Sequence, residues 1–199
     1  MLRHGETLWN REGRMQGGLD SDLTPLGRLQ AVAMGQALAR VGVSRATHAA
    51  LTSPQGRAVE TARLALGPLG LAATAEPLLR EVGMGAWVGL GAAEIAAGWP
   101  GPEGEAVLDF YARAPGGEGL FALWDRVGAV LARLDEPAVV VTHGMTSRFL
   151  RCRALGWPPA RLADLPGGQG QVHRVRDGEH RTLGPGMPAG PLAAGEPGG

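Results

Sequence analysis

The sequence predicts an α/β fold, a three-layer α/β/α sandwich around a mainly parallel central sheet. Helix starts and apolar strand-like runs alternate along the chain, the pattern of layered α/β proteins. The run Ala138-Val139-Val140-Val141-Thr142 has no polar interruption until its end, as expected of a central strand covered on both faces. With 199 residues, 44% of them hydrophobic, the chain is long enough to bury a single core.

Taken in order, Thr24-Pro25 reads as a helix start, with Thr as N-cap and Pro in the first helical position. Leu26, Leu29, Ala33 and Ala37 follow at helical spacing, and Gly42 closes the segment. Residues 47–52 suit a short buried strand. Ser53-Pro54 repeats the cap-plus-Pro pattern and opens a helix to Leu66, closed by Pro68 and Gly70. Residues 90–117 suggest two short helices, 92–97 and 106–113, forming a variable cap over the pocket. Leu120, Trp124, Val127, Leu131 and Leu134 make an apolar helical stripe. The Val-rich strand then leads into His143-Gly144 and a helix to Leu155. Residues 172–176 and 179–183 flank Asp177-Gly178, a two-residue hairpin turn. One domain is expected over 1–184, with a disordered Pro/Gly-rich tail over 185–199.

Composition narrows the function classes. The formal net charge is +0, so no global field marks the chain for nucleic acid or an anionic membrane surface. All 19 basic residues are Arg, and Asn10 is the only Asn, so an isolated surface Arg carries little information. The single cysteine, Cys152, excludes an internal disulfide. No apolar run reaches the length of a spanning helix, and no signal peptide is evident. A cytoplasmic protein is expected.

Four short blocks carry chemistry. Arg3-His4-Gly5-Glu6-Thr7, followed by Trp9-Asn10, packs a cation, a nucleophile-capable imidazole and a glycine open to ligand approach into three residues. Ser53-Pro54-Gln55-Gly56-Arg57-Ala58 places Arg57 near the start of a helix after a strand. Glu81 opens a glycine-rich turn through Gly89, and His143 ends the Val-rich strand. Ligands of open α/β sheets bind outside the carboxyl ends of strands, where His4, Arg57 and His143 can all be placed.

These blocks, RHGET-x-WN, SP-x-x-RA-x-x-TA, E-x-x-x-G-x-W-x-G and THG, occur in the order found in the histidine phosphatase superfamily, also called phosphoglycerate mutase-like, which the chain resembles from about residue 2 to 183. The resemblance implies a phosphomonoester hydrolase acting on small phosphorylated metabolites. His4 would be the phosphorylated nucleophile. Arg3, Arg57 and Asn10 would hold the phosphate, His143, if protonated beside the dianion, would donate a further bond, and Glu81 would be the proton donor and base. No metal and no cofactor are implied. The partner is a small phosphorylated metabolite, and a homodimer is compatible with the family.

Departures from the family pattern set further expectations. Val88 stands where an acidic residue is common between Trp and Gly. Only Met1 and Leu2 precede Arg3, fewer than the usual first strand, so the recorded start is expected to lie downstream of the true one. Gly18-Leu19-Asp20-Ser21-Asp22-Leu23-Thr24 follows the phosphatase-like pattern, which favours hydrolysis over the alternative, a 2,3-bisphosphoglycerate-dependent phosphoglycerate mutase. An inactive phosphate-ligand binding protein is the alternative of another class. Trp99, Phe110 and Tyr111 in the cap are expected to set substrate choice. His48, His173 and His180 read as bystanders, Cys152 as core, and Arg148, Arg151 and Arg153 as a solvated face.

Overall fold

The computed structural model describes residues 1–183; the expected tail, 185–199, lies outside the described residues. Strands β1 (Leu2–Arg3), β2 (Ala49–Thr52), β3 (Thr74–Ala75) and β4 (Ala138–Thr142) pair in parallel. Strands β5 (Val172–Arg176) and β6 (Glu179–Leu183) form an antiparallel hairpin, and β5 pairs antiparallel with β1. The sheet order is β3-β2-β4-β1-β5-β6.

The predicted sandwich is therefore the observed one. Helices α2 (Pro25–Arg40) and α3 (Gly56–Leu66) cover one face of the sheet, and α6 (Leu120–Leu131) and α7 (Gly144–Ala154) cover the other. Strand β4 shows why both faces are apolar. Val140 points into the core beneath α6 and α7, while Val139 and Val141 point into the core beneath α2 and α3. Short helices α1 (Leu8–Arg11), α4 (Ala92–Gly98) and α5 (Val107–Ala112) are the remaining α-helices among the described residues.

Local signals explain several boundaries. The Thr24 hydroxyl accepts the Gly27 N–H at 3.0 Å, capping α2 with Pro25 in its first turn. Asp177 (φ +52°) and Gly178 (φ +74°) make the tight left-handed turn of the β5–β6 hairpin. Among the described residues, no helix is long and apolar enough to cross a membrane.

Four expectations are corrected. Ser53 does not cap α3. Its N-cap is Gln55, which makes no side-chain cap bond, and the carboxylate of the distant Asp20 accepts the Gly56 N–H at 2.7 Å instead. In α6 the fully buried apolar side chains are Leu123, Val127 and Val130, while Leu120, Trp124 and Leu131 lie half-buried beside them. In α2, Leu29 is 61% exposed, and Ala31, Met34 and Leu38 face the sheet. Arg151 is not on a solvated face. It is buried in α7, where it donates to the Ser147 carbonyl at 3.3 Å and the Pro166 carbonyl at 2.9 Å, and burial lowers its pKa to about 9. Cys152 is core, as expected.

Candidate active site

Three adjacent parallel strands deliver the site. His4 follows β1, Ser53 to Arg57 follow β2, and His143 follows β4, so all three blocks meet at the carboxyl ends of the strands. The ladder continues past the strand ends. The His4 N–H donates to the Thr142 carbonyl and the Ser53 N–H to the Val141 carbonyl, both at 2.9 Å. These bonds lock the three segments together before any side chain is considered.

His4 is buried, and its Nδ1 lies 2.8 Å from the Gly5 carbonyl. A carbonyl can only accept, so Nδ1 carries the hydrogen and Nε2 keeps its lone pair. Burial, then the Arg57 and Arg3 cations, hold the imidazole well below its ordinary pKa, so it is neutral at physiological pH. The ring meets that of His143 edge-on, with centroids 5.2 Å apart. His143 is fully buried, with Nε2 2.7 Å from the Ser53 hydroxyl. Its pKa is likewise held well below the ordinary value by burial, then by His4, Arg57 and Arg3.

Arg57 is anchored rather than free to swing. It donates to the Leu19 carbonyl at 2.5 Å, the Gly17 carbonyl at 3.0 Å and Asp20 Oδ1 at 2.8 Å. Its Nε is buried without a partner, which leaves a donor for a bound anion. Arg3 packs against the first turn of α7, where a Cβ on Gly144 would come within 3.3 Å of the guanidinium carbon. Glu81 sits over the same helix end. Its carboxylate accepts from the N–H groups of Met145 at 3.3 Å, Thr146 at 3.2 Å and Val82 at 2.9 Å. Asn10 Oδ1 is committed to the Thr7 N–H and hydroxyl and to the Gln169 amide, so its own NH₂ is what it can offer a ligand.

Arg3, His4, Asn10, Arg57 and Glu81 line one cleft, together with Arg14, Gln16, Met15, Met84 and Tyr111. Two guanidinium groups, of Arg3 and Arg57, in one cleft suit an anion. Among the described residues no group of His, Cys, Asp and Glu could hold a metal ion. Two arginines and a neutral imidazole with a bare nitrogen, all facing one cleft, are the parts that phosphoryl transfer to nitrogen needs.

The model of the histidine phosphatase superfamily (branch 1) matches residues 1–183. The chain belongs to this family. A glucosyl-3-phosphoglycerate phosphatase of Mycolicibacterium vanbaalenii is 36% identical over 194 residues, spanning 90% of this chain and 83% of that protein. A probable phosphoglycerate mutase of Salmonella paratyphi B is 36% identical over 166 residues, spanning 79% of this chain and 74% of that protein. Among solved structures, a mycobacterial glucosyl-3-phosphoglycerate phosphatase complexed with VO₃ matches with a TM-score of 0.72 and 30% identity, covering 96% of this chain and 98% of that one. The α-ribazole phosphatase of Shigella flexneri matches with a TM-score of 0.75 and 25% identity, covering 94% of this chain and 95% of that one.

All six residues expected in the histidine phosphatase site are brought together, five of them lining the cleft and His143 with its ring 5.2 Å from that of His4. Sequence reasoning missed the supporting residues. Gln55 holds two blocks in place, donating to the Gly17 carbonyl at 2.8 Å and accepting the Glu81 N–H at 2.7 Å. Asp20 anchors Arg57, and Thr146 fixes Glu81. A polar residue inside the Ser-Pro-x-x-Arg block was the one available hint for Gln55. Gly5 also differs from expectation. It makes room for α2, since a Cβ there would lie 2.2 Å from the Gly27 carbonyl oxygen.

Proposed function

We propose that the protein is a metal-independent phosphomonoester hydrolase that works through a phosphohistidine on His4. The observation that carries this reading is the hydrogen bond from His4 Nδ1 to the Gly5 carbonyl at 2.8 Å, which leaves Nε2 as a lone pair beside two arginines. In the proposed reaction Nε2 attacks phosphorus in line, and Arg3 and Arg57 neutralise the equatorial oxygens. The Glu81 carboxyl gives a proton to the departing alkoxide. Water then attacks the phosphohistidine, with Glu81 taking its proton, and inorganic phosphate leaves as His4 is restored. Asn10 donates to a phosphoryl oxygen. The substrate is a small phosphorylated metabolite, as the names of the phosphatase relatives suggest.

Phosphate release from a panel of phosphomonoesters, including 3-phosphoglycerate, sugar phosphates and nitrophenyl phosphate, tests the reading. Release that survives a chelator and is lost in His4→Ala supports it. Formation of 2-phosphoglycerate only after priming with bisphosphoglycerate would replace it with a mutase. Binding of vanadate without turnover of any substrate would replace it with a binding protein.

A further inference from the structure

We propose that Ser53 is a positioning residue that sets the tautomer of His143, so that Nδ1 carries the hydrogen and is the atom offered to the phosphoryl group. What this hydrogen bond serves rests on the phosphatase reading above; the bond itself does not.

A hydroxyl has one hydrogen to give. The Ser53 hydroxyl has two acceptors within reach, His143 Nε2 at 2.7 Å and Gln55 Oε1 at 3.5 Å. Gln55 Oε1 already accepts the Glu81 N–H at 2.7 Å. The Ser53 oxygen in turn accepts the Gln55 N–H at 3.3 Å. The shorter, less contested path takes the hydrogen to the imidazole. Nε2 is then the acceptor, and the single hydrogen of an uncharged ring resides on Nδ1. Nδ1 of His143 is buried without a protein partner, a position that polar atoms rarely occupy unless a ligand completes them.

The two histidines are thus set in opposite senses. Gly5 takes the Nδ1 hydrogen of His4 and exposes a lone pair, while Ser53 fills the Nε2 lone pair of His143 and leaves an N–H. A nucleophile needs the first arrangement and a charge-stabilising donor needs the second. The surroundings make the second arrangement necessary. His143 is faced by His4 and Arg3 from the β1 end, Arg57 from α3 and Arg126 from α6, and burial among these groups disfavours an imidazolium. A neutral ring can donate only if the correct nitrogen holds the hydrogen, and Ser53 ensures that it does.

The test reads the tautomer directly. In the full-length protein labelled with ¹⁵N-histidine, long-range proton–nitrogen spectra at neutral pH should show His143 with a protonated Nδ1 and an unprotonated Nε2. Ser53→Ala should move hydrogen onto Nε2, and Ser53→Thr, which keeps the hydroxyl, should restore the native pattern. In steady-state kinetics Ser53→Ala should lower kcat on the order of 100-fold, the scale of losing one transition-state donor, with KM changing far less. Ser53→Thr should recover most of the rate. A native His143 that carries its hydrogen on Nε2, or on both nitrogens, overturns the proposal. So does a Ser53→Ala variant with unchanged spectra. Because the spectra need no turnover, failure to find any phosphatase substrate would count against the functional reading and leave the tautomer result to stand or fall by itself.

Discussion

Asp20 and Arg57 are joined twice, through the side chain and through the backbone. Asp20 Oδ1 accepts from the Arg57 guanidinium at 2.8 Å and from the Arg57 N–H at 3.3 Å, while Oδ2 accepts the Gly56 N–H at 2.7 Å. One carboxylate therefore caps α3 and aims the arginine that α3 carries into the cleft. Asp20→Ala should lower stability by about 1 kcal/mol, the usual scale of a lost cap. It should also raise KM and lower kcat/KM roughly tenfold or more, because Arg57 loses the one charged partner among its three acceptors. Asp20→Asn keeps an acceptor and should recover the stability more fully than the activity. Urea unfolding and kinetics on the two variants check both parts.

The contact between the His4 loop and α2 leaves no room for a methyl group. A Cβ at Gly5 would lie 2.2 Å from the Gly27 carbonyl oxygen, and one at Gly27 would lie 2.0 Å from the Glu6 carbonyl oxygen. Gly5→Ala should therefore destabilise the protein by roughly 3 kcal/mol and displace His4, abolishing turnover. Gly18→Ala is the control, since a Cβ there meets nothing within 4 Å. Its unfolding midpoint should match that of the native protein.

Acid should weaken the fold through its histidines. Burial, reinforced by neighbouring cations, holds His4 and His143 well below their ordinary pKa and brings His173 to about 2. The unfolded chain binds protons on these side chains near pH 6.5, and the folded chain does not. Their contribution is complete above about pH 6.5 and is lost as pH falls from there toward the folded values, by about 1.4 kcal/mol per pH unit for each histidine. Urea midpoints should fall between pH 7.5 and 5.5, and His173→Gln should flatten that slope. The same displacement keeps His4 neutral in acid, so the acid limb of kcat/KM should lie below pH 6.5.

Residues 99–113 pack around one indole. Trp87 is fully buried, 4.8 Å from the Phe110 ring, and the Arg113 guanidinium lies 4.8 Å over its face. Glu105 pairs with Arg113, and of Trp99, Phe110 and Tyr111 it is Tyr111 that lines the cleft. Trp87→Ala should cost about 3–5 kcal/mol and, where it still folds, raise KM by loosening Tyr111. Thermal unfolding and KM for the best substrate of the panel measure the two effects.

β4 was legible because a strand buried on both faces reads as one apolar run, and α2 because Thr24 caps it locally. The reactive groups were legible because four blocks place them at strand ends. Gln55 and Thr146 were not, because they act across 26 to 65 positions of the chain, and a long-range partner leaves no local pattern; Asp20 stood in a recognised pattern, but its hold on Arg57, 37 positions away, did not show there. Asp20 doing the work expected of Ser53 is the clearest case. Strand β3 consists of two exposed residues, Thr74 and Ala75, with no periodicity to read. Arg151 looked like surface because charge usually is, yet backbone carbonyls satisfy it inside.

The most direct test of the central claim is to quench the enzyme rapidly during turnover of its best phosphomonoester and map the phosphoryl group by mass spectrometry under alkaline conditions, which preserve phosphohistidine. One phosphoryl group is expected, on the peptide containing His4, and it should be lost on acidification. A phosphoryl group on any other residue, or none at any quench time while phosphate is being released, would contradict the claim.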